Sequence, residues 1–110
     1  MKPGDYLMNR NRHEAAIGYL KEAIVSERNL QFREAISDLD YHYIKENDVH
    51  VLKNIYFIIK DNALRNKILG SLMYKEIGLK QFFWDAYKKE RYLDMKLKAV
   101  RGLAKSLTND

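Results

Sequence analysis

Three helix starts recur along this chain at a nearly fixed interval, and that recurrence limits what it can fold into. Asn29, Asn62 and Asp94 each stand immediately before an amphipathic run, 33 and 32 residues apart. Asn and Asp favour such positions because their short side chains accept bonds from backbone amides that have no partner inside the helix. Apolar or large residues then follow at offsets of about three, six and ten: Phe32, Ala35 and Leu39; Arg65, Ile68 and Leu72; Leu97, Val100 and Ala104. A period near 32 accommodates two helices and two turns, the size of one helical-repeat unit.

Apolar spacing of three or four runs through nearly the whole chain, and the Asn-Gly and Asp-Gly hairpin signals of β-structure are absent. The expectation is an all-α fold of about six antiparallel helices. Pro3 and Gly4 form a non-helical leader in this reading. The first helix covers 6–25, with Ala16, Leu20, Ala23 and Ile24 on one side. The second covers 30–46, with Phe32, Ala35, Ile36, Leu39 and Tyr43. Asn47-Asp48 supplies a break, and a third helix spans 49–60 with Leu52, Ile55, Tyr56 and Ile59. A fourth, 63–76, carries Leu64, Ile68 and Leu72, and Gly78 can end it as a left-handed residue without a Cβ penalty. The fifth, 79–90, holds Leu79, Phe82, Phe83, Ala86 and Tyr87, and the sixth, 94–107, holds Leu97, Val100, Leu103, Ala104 and Leu107.

Short connections lay consecutive helices antiparallel, so the six form three stacked hairpins, about 6–46, 48–76 and 78–107, within one domain of 1–110. A compact helical bundle is the alternative arrangement. Leu39, Ile68 and Val100 are the expected sites of most costly truncation.

The stretches Asn62-Ala63-Leu64-Arg65-Asn66-Lys67-Ile68 and Asp94-Met95-Lys96-Leu97-Lys98-Ala99-Val100-Arg101-Gly102-Leu103 resemble the second helix of HEAT-type repeats. That family places Asp or Asn at the turn, a basic residue soon after, then small and large apolar residues at helical spacing. Arg65 and Lys96 match the basic position, and Ala99 and Leu103 the small and large ones. Ile68 stands where the small residue is expected, and the first unit has no basic residue at the corresponding point. The resemblance covers 62–107, with a period shorter than the family's. It implies an α-α superhelix that acts as a binding scaffold for proteins or, in some members, nucleic acid.

The 110 residues contain no Cys, which excludes a disulfide scaffold, a thiol nucleophile and Cys-ligated metal. The opening MKPGDYLMNRNRHE lacks the apolar centre of a secretory signal, and charges interrupt every apolar run, so the expectation is a cytoplasmic protein with no membrane span. His13-Glu14 begins no HExxH. Glu34, Asp38 and His42 recur every four residues, which on one helix reads as a solvated acidic face, and neither a metal nor a cofactor is expected. Ser26, Ser37, Ser71 and Ser106 lack a nucleophile elbow, and no phosphate-binding glycine loop occurs. An enzyme is not expected.

Charge is uneven: residues 56–110 hold 12 basic and 6 acidic side chains, against 8 and 9 in residues 1–55. Lys98, Arg101 and Lys105 are offset by three and four on the sixth helix, with Lys89 and Arg91 nearby. Such a face can contact phosphates. Phe82-Phe83-Trp84 points through about 200° of a helix, so one packed side cannot cover all three. Phe82 or Trp84 is thus a candidate anchor for a partner. These residues support a noncatalytic scaffold for a protein partner or for self-association. The alternative is a small nucleic-acid-binding protein using the basic C-terminal helices.

Overall fold

A computed structural model describes residues 3–75 and 78–108. Among them are six α-helices, one 3-10 turn and no strand: α1 (Pro3–Glu22), α2 (Leu30–Ser37), the turn Tyr41–Tyr43, α3 (Glu46–Ile58), α4 (Asn62–Leu72), α5 (Lys80–Lys89) and α6 (Leu93–Thr108). The all-α expectation holds. The chain divides into two compact units, Met1–Ile68 and Leu69–Asp110, with the boundary inside α4.

Several helix ends differ from the sequence reading for local reasons. Pro3 opens α1 rather than preceding it, because a first-turn proline loses no helical hydrogen bond. That helix stops at Glu22, which leaves Ile24 on the surface at 90% exposure. The second helix ends at Ser37, far short of 46. Asp40 turns the chain there by accepting the His42 N–H at 3.0 Å, while its own N–H donates to the buried His13 Nδ1 at 3.0 Å. The third helix begins at Glu46, since the Asp48 carboxylate accepts the Lys45 N–H at 3.1 Å. Gly78 takes no left-handed conformation, and α4 ends at Leu72 without it.

Three helix starts share a burial pattern, in a register shifted from Asn29, Asn62 and Asp94. Asn29 caps α2, its Oδ1 accepting the Phe32 N–H at 3.2 Å. The next cap is Asp61 rather than Asn62, its Oδ1 accepting the Leu64 N–H at 3.1 Å. The third start is Tyr92 rather than Asp94, its carbonyl taking the Lys96 N–H at 3.0 Å. Counted from these starts the intervals are 32 and 31 residues. Three residues on stand Phe32, Leu64 and Met95; seven on, Ile36, Ile68 and Ala99; ten on, Leu39, Ser71 and Gly102. All nine are buried. Nine residues before each start stand Leu20, Leu52 and Phe83, also buried.

One further position repeats, four residues after each start. The Arg33, Arg65 and Lys96 N–H groups donate to the Asn29, Asp61 and Tyr92 carbonyls at 3.1, 3.1 and 3.0 Å. Their side chains reach back to carbonyls of the segment just before: Arg33 to Glu27 at 3.1 Å, Arg65 to Lys60, and Lys96 to Tyr87 at 2.7 Å. The first unit therefore does have a basic residue in register.

Within Met1–Ile68, α1 packs on α2, on the 3-10 turn and on α3. Arg33 also meets Asp61 at 2.9 Å, and Glu27 accepts the main-chain N–H groups of Lys60 and Asp61, tying one turn to the next. Within Leu69–Asp110, α5 packs along α6. Met95, Ala99, Gly102 and Ser106 form the buried side of α6, whereas Leu97, Val100 and Leu107 are 48, 43 and 55% exposed. The expected buried stripe of the last helix is thus on its outside. Val100 is not a core residue, and Ala104 is exposed with it.

Two outcomes check this arrangement. Ile68→Ala costs about 2–5 kcal/mol in urea denaturation and Val100→Ala no more than about 0.5 kcal/mol; equal losses would restore Val100 to the core. The Arg33 guanidinium and the Leu64 N–H hold the Asp61 carboxyl below its ordinary value of 3.8. Its contribution to stability is complete above about pH 4 and is lost as pH falls through the lower folded value. Asp61→Asn keeps a capping acceptor without the charge, so its melting temperature falls less than the wild type's between about pH 5 and pH 2.5.

Candidate interaction surface

The seven residues singled out in the sequence all lie in the last hairpin, but they do not form one surface. Phe82 is buried and belongs to the core: it meets Phe83 edge-on at 5.2 Å, both rings pointing inward from adjacent positions of α5. Phe82 is therefore no surface anchor. Trp84, on the next position round the helix, is 46% exposed. It stacks on Tyr87 with centroids 5.8 Å apart and planes at 13°, and the Lys88 ammonium lies 5.6 Å from its ring.

The basic face of α6 is partly committed to structure. Lys105 Nζ donates to the Tyr74 carbonyl at 2.7 Å and lies 6.0 Å from the Tyr74 ring, so it serves the C-terminal end of α4. Lys98 lies against the same stretch, where a Cβ added to Gly70 would meet its stem at 3.8 Å. Lys89, Arg91 and Arg101 are exposed. At 3.6 residues per turn, Lys98 and Lys105 stand roughly 140–160° around α6 from Leu103, which faces Trp84. The aromatic and basic features are thus on opposite sides of the helix.

What the sequence reading missed is the apolar surface that Trp84 joins. A groove of about 480 Å³ is lined by Lys80, Gln81, Trp84 and Leu103. Val100 and Leu107 flank Leu103 one turn to either side on α6, and Leu93, Leu97 and Ala104 continue the exposed apolar strip. Offsets of four, three, four and three from Leu93 to Leu107 keep five residues on one side of the helix. Lys80 stands at one end of the groove. Lys96 lies over Tyr87, its ammonium 4.4 Å from that ring. The signal was present as an amphipathic strip, but it was assigned to the core because its residues are larger than those of the opposite side.

The opposite side of α6 is small so that α5 can approach. A Cβ on Gly102 would lie within 2.6 Å of Phe83 Cζ, inside any normal contact. Gly102 therefore accepts the Phe83 ring, and the bulky residues are left outside.

The first unit holds a second, smaller cleft of about 230 Å³, whose lining includes His13, Lys21, Tyr43, Lys45 and Asp48. Its polar groups pair with one another and with the backbone: Lys21 meets Asp48 at 3.2 Å, and His13 Nδ1 accepts the Asp40 N–H. That cluster fastens α1 to the start of α3. Glu34, Asp38 and His42 do not share a helix face, because α2 ends before Asp38. His42 instead meets Asp40 at 2.8 Å. No group of three or more potential metal ligands occurs among the described residues, and no described helix is long and apolar enough to cross a membrane.

No protein-family model, curated protein or solved structure matches this chain.

Gly102→Ala tests the packing that turns the apolar strip outward. In an exposed helix this change stabilises by about 1 kcal/mol; here overpacking against Phe83 costs about 1–3 kcal/mol. The urea midpoint should fall, and Phe83→Leu combined with Gly102→Ala should recover part of the loss. A stabilised Gly102→Ala protein would contradict the close approach.

Proposed function

We propose that this chain is a noncatalytic helical-repeat scaffold, HEAT-like in its hairpin units, that binds another protein through the outer face of α5 and α6. One observation carries the reading: Leu97 and Val100 are apolar and exposed in the last hairpin at positions that are polar or buried in the units before it, whereas Leu93 and Ala104 match the exposed Leu30 and Tyr41. Five residues after the three starts stand Glu34, Asn66 and Leu97; eight after, Ser37, Leu69 and Val100; twelve after the second and third, Met73 and Ala104. In the first unit Glu34 and Ser37 are exposed and polar. In the second, Leu69 and Met73 are apolar and buried. In the third, Leu97, Val100 and Ala104 are apolar and exposed. A repeat array needs a polar outer face on a terminal unit; α2 has one and α6 does not. Contiguous exposed apolar surface of this kind marks interaction sites, and the half-exposed Trp84 beside Leu103 is of a residue type enriched among binding hot spots.

The nucleic-acid alternative has less support. Lys105 donates to the Tyr74 carbonyl and Lys98 lies against Gly70, so two of the three basic residues on that face of α6 serve the fold. A photo-crosslinking amino acid at position 103, irradiated in native extract, separates the two readings. The scaffold reading expects adducts that protease removes and nuclease does not. Nuclease-sensitive adducts, or none above those formed from position 34 on the polar face of α2, would refute it.

A further inference from the structure

We propose that the groove between α5 and α6 takes an amphipathic helix with acidic flanks, supplied by a partner protein. This rests on the scaffold reading and names the chemistry of what it binds.

Shape comes first. The exposed strip from Leu93 to Leu107 extends about 21 Å at 1.5 Å per residue, roughly four turns of helix. Leu103 and Trp84 form the floor of the groove, with Val100 and Leu107 one turn away on either side. Phe83 on Gly102 fixes α5 and α6 close and antiparallel, so the groove has two rigid helical walls. A helix fills such a channel by placing residues i, i+3, i+4 and i+7 into it, the mode by which amphipathic helices dock in apolar grooves.

Charge then selects among possible occupants. Residues 78–108 carry eight basic and three acidic side chains. Lys80 lines the groove, and Lys88 and Lys96 lie over the Trp84 and Tyr87 rings beside it. A second copy of this chain in the groove would set one basic hairpin against another. Glu or Asp on the flanks of an incoming helix would meet these cations, and complementary rims of this sort set partner choice and encounter rate.

Trp84 is the only tryptophan of the chain, so its fluorescence reports on the groove directly. The probes are two synthetic amphipathic peptides of 18 residues with identical Leu positions, one flanked by Glu and the other by Lys, together with phosphatidylglycerol vesicles. The Glu-flanked peptide is expected to shift Trp84 emission to the blue, saturably and less tightly as salt rises. Leu103→Glu should weaken it at least about tenfold with unchanged circular dichroism. Because Leu103 is only half-buried, a folded variant is expected; Lys80→Glu with Lys88→Glu gives an independent check, reversing the preference toward the Lys-flanked peptide. The proposal is overturned if both peptides bind alike, if vesicles shift Trp84 and the Glu-flanked peptide does not, or if light scattering finds a dimer that buries Trp84. A blank with the peptides beside a protein adduct from position 103 removes the acidic helix and leaves the scaffold. A blank in both removes both.

Discussion

The turn inside each hairpin is the constraint on which the rest of this fold depends. Where one helix ends and the next begins, C-terminal carbonyls and N-terminal amides are left without helical partners. In this chain a cation at one recurring position reaches back across the turn. The residue four past each helix start gives its own N–H to the capping carbonyl, and its cationic side chain returns to a carbonyl of the segment before. Arg33, Arg65 and Lys96 all do this. A cation also suits the negative end of a helix, as where Lys96 reaches the Tyr87 carbonyl near the end of α5. The need is acute because the helices are short. The second has eight residues and the fifth ten, below the length at which helices persist alone in water. Each hairpin therefore forms as a unit of turn and buried face or does not form.

That constraint explains what could be read from the sequence. The existence of six helices and the period near 32 were legible because caps and apolar spacing repeat. Register was harder. Asp61 and Asn62 are adjacent and equally suited to capping, and only the contacts of Arg33 and Leu64 with Asp61 choose between them. Tyr92 cannot cap with its side chain, so Asp94 was the natural candidate, although it sits inside the first turn. The early end of α2 was hidden for another reason: it depends on His13, 27 residues away, which accepts the Asp40 N–H.

The misassignment of α6 is the most instructive difference. Burial is usually inferred from the side of a helix that carries the largest apolar residues. Here Leu93, Leu97, Val100 and Leu107 make the more hydrophobic side, and the helix faces α5 with Met95, Ala99, Gly102 and Ser106 instead. Close approach decides the orientation. The large Phe83 ring needs a recess, and only the small side offers one at Gly102. Packing density in interiors is high enough that shape complementarity can outweigh a modest difference in apolar area. Trp84 follows from the same geometry: with Phe82 and Phe83 directed inward, the next residue round α5 has to point out.

An outward strip of this composition is not a by-product of folding. Single exposed apolar residues are ordinary on any protein surface, and Ile24 or Leu30 is of that kind. The strip on α6 differs because its members fall at intervals of three and four along one helix and meet a half-exposed indole across a groove. The chain also contains its own comparison. At corresponding positions in the first hairpin, Glu34 and Ser37 give α2 a polar outside, so the repeat can be built with a soluble face. Nothing in the turn contacts or in the Phe83–Gly102 packing requires Leu97 or Val100 in place of a charged residue. Their exposed apolar area is the basis of the partner site proposed for this hairpin.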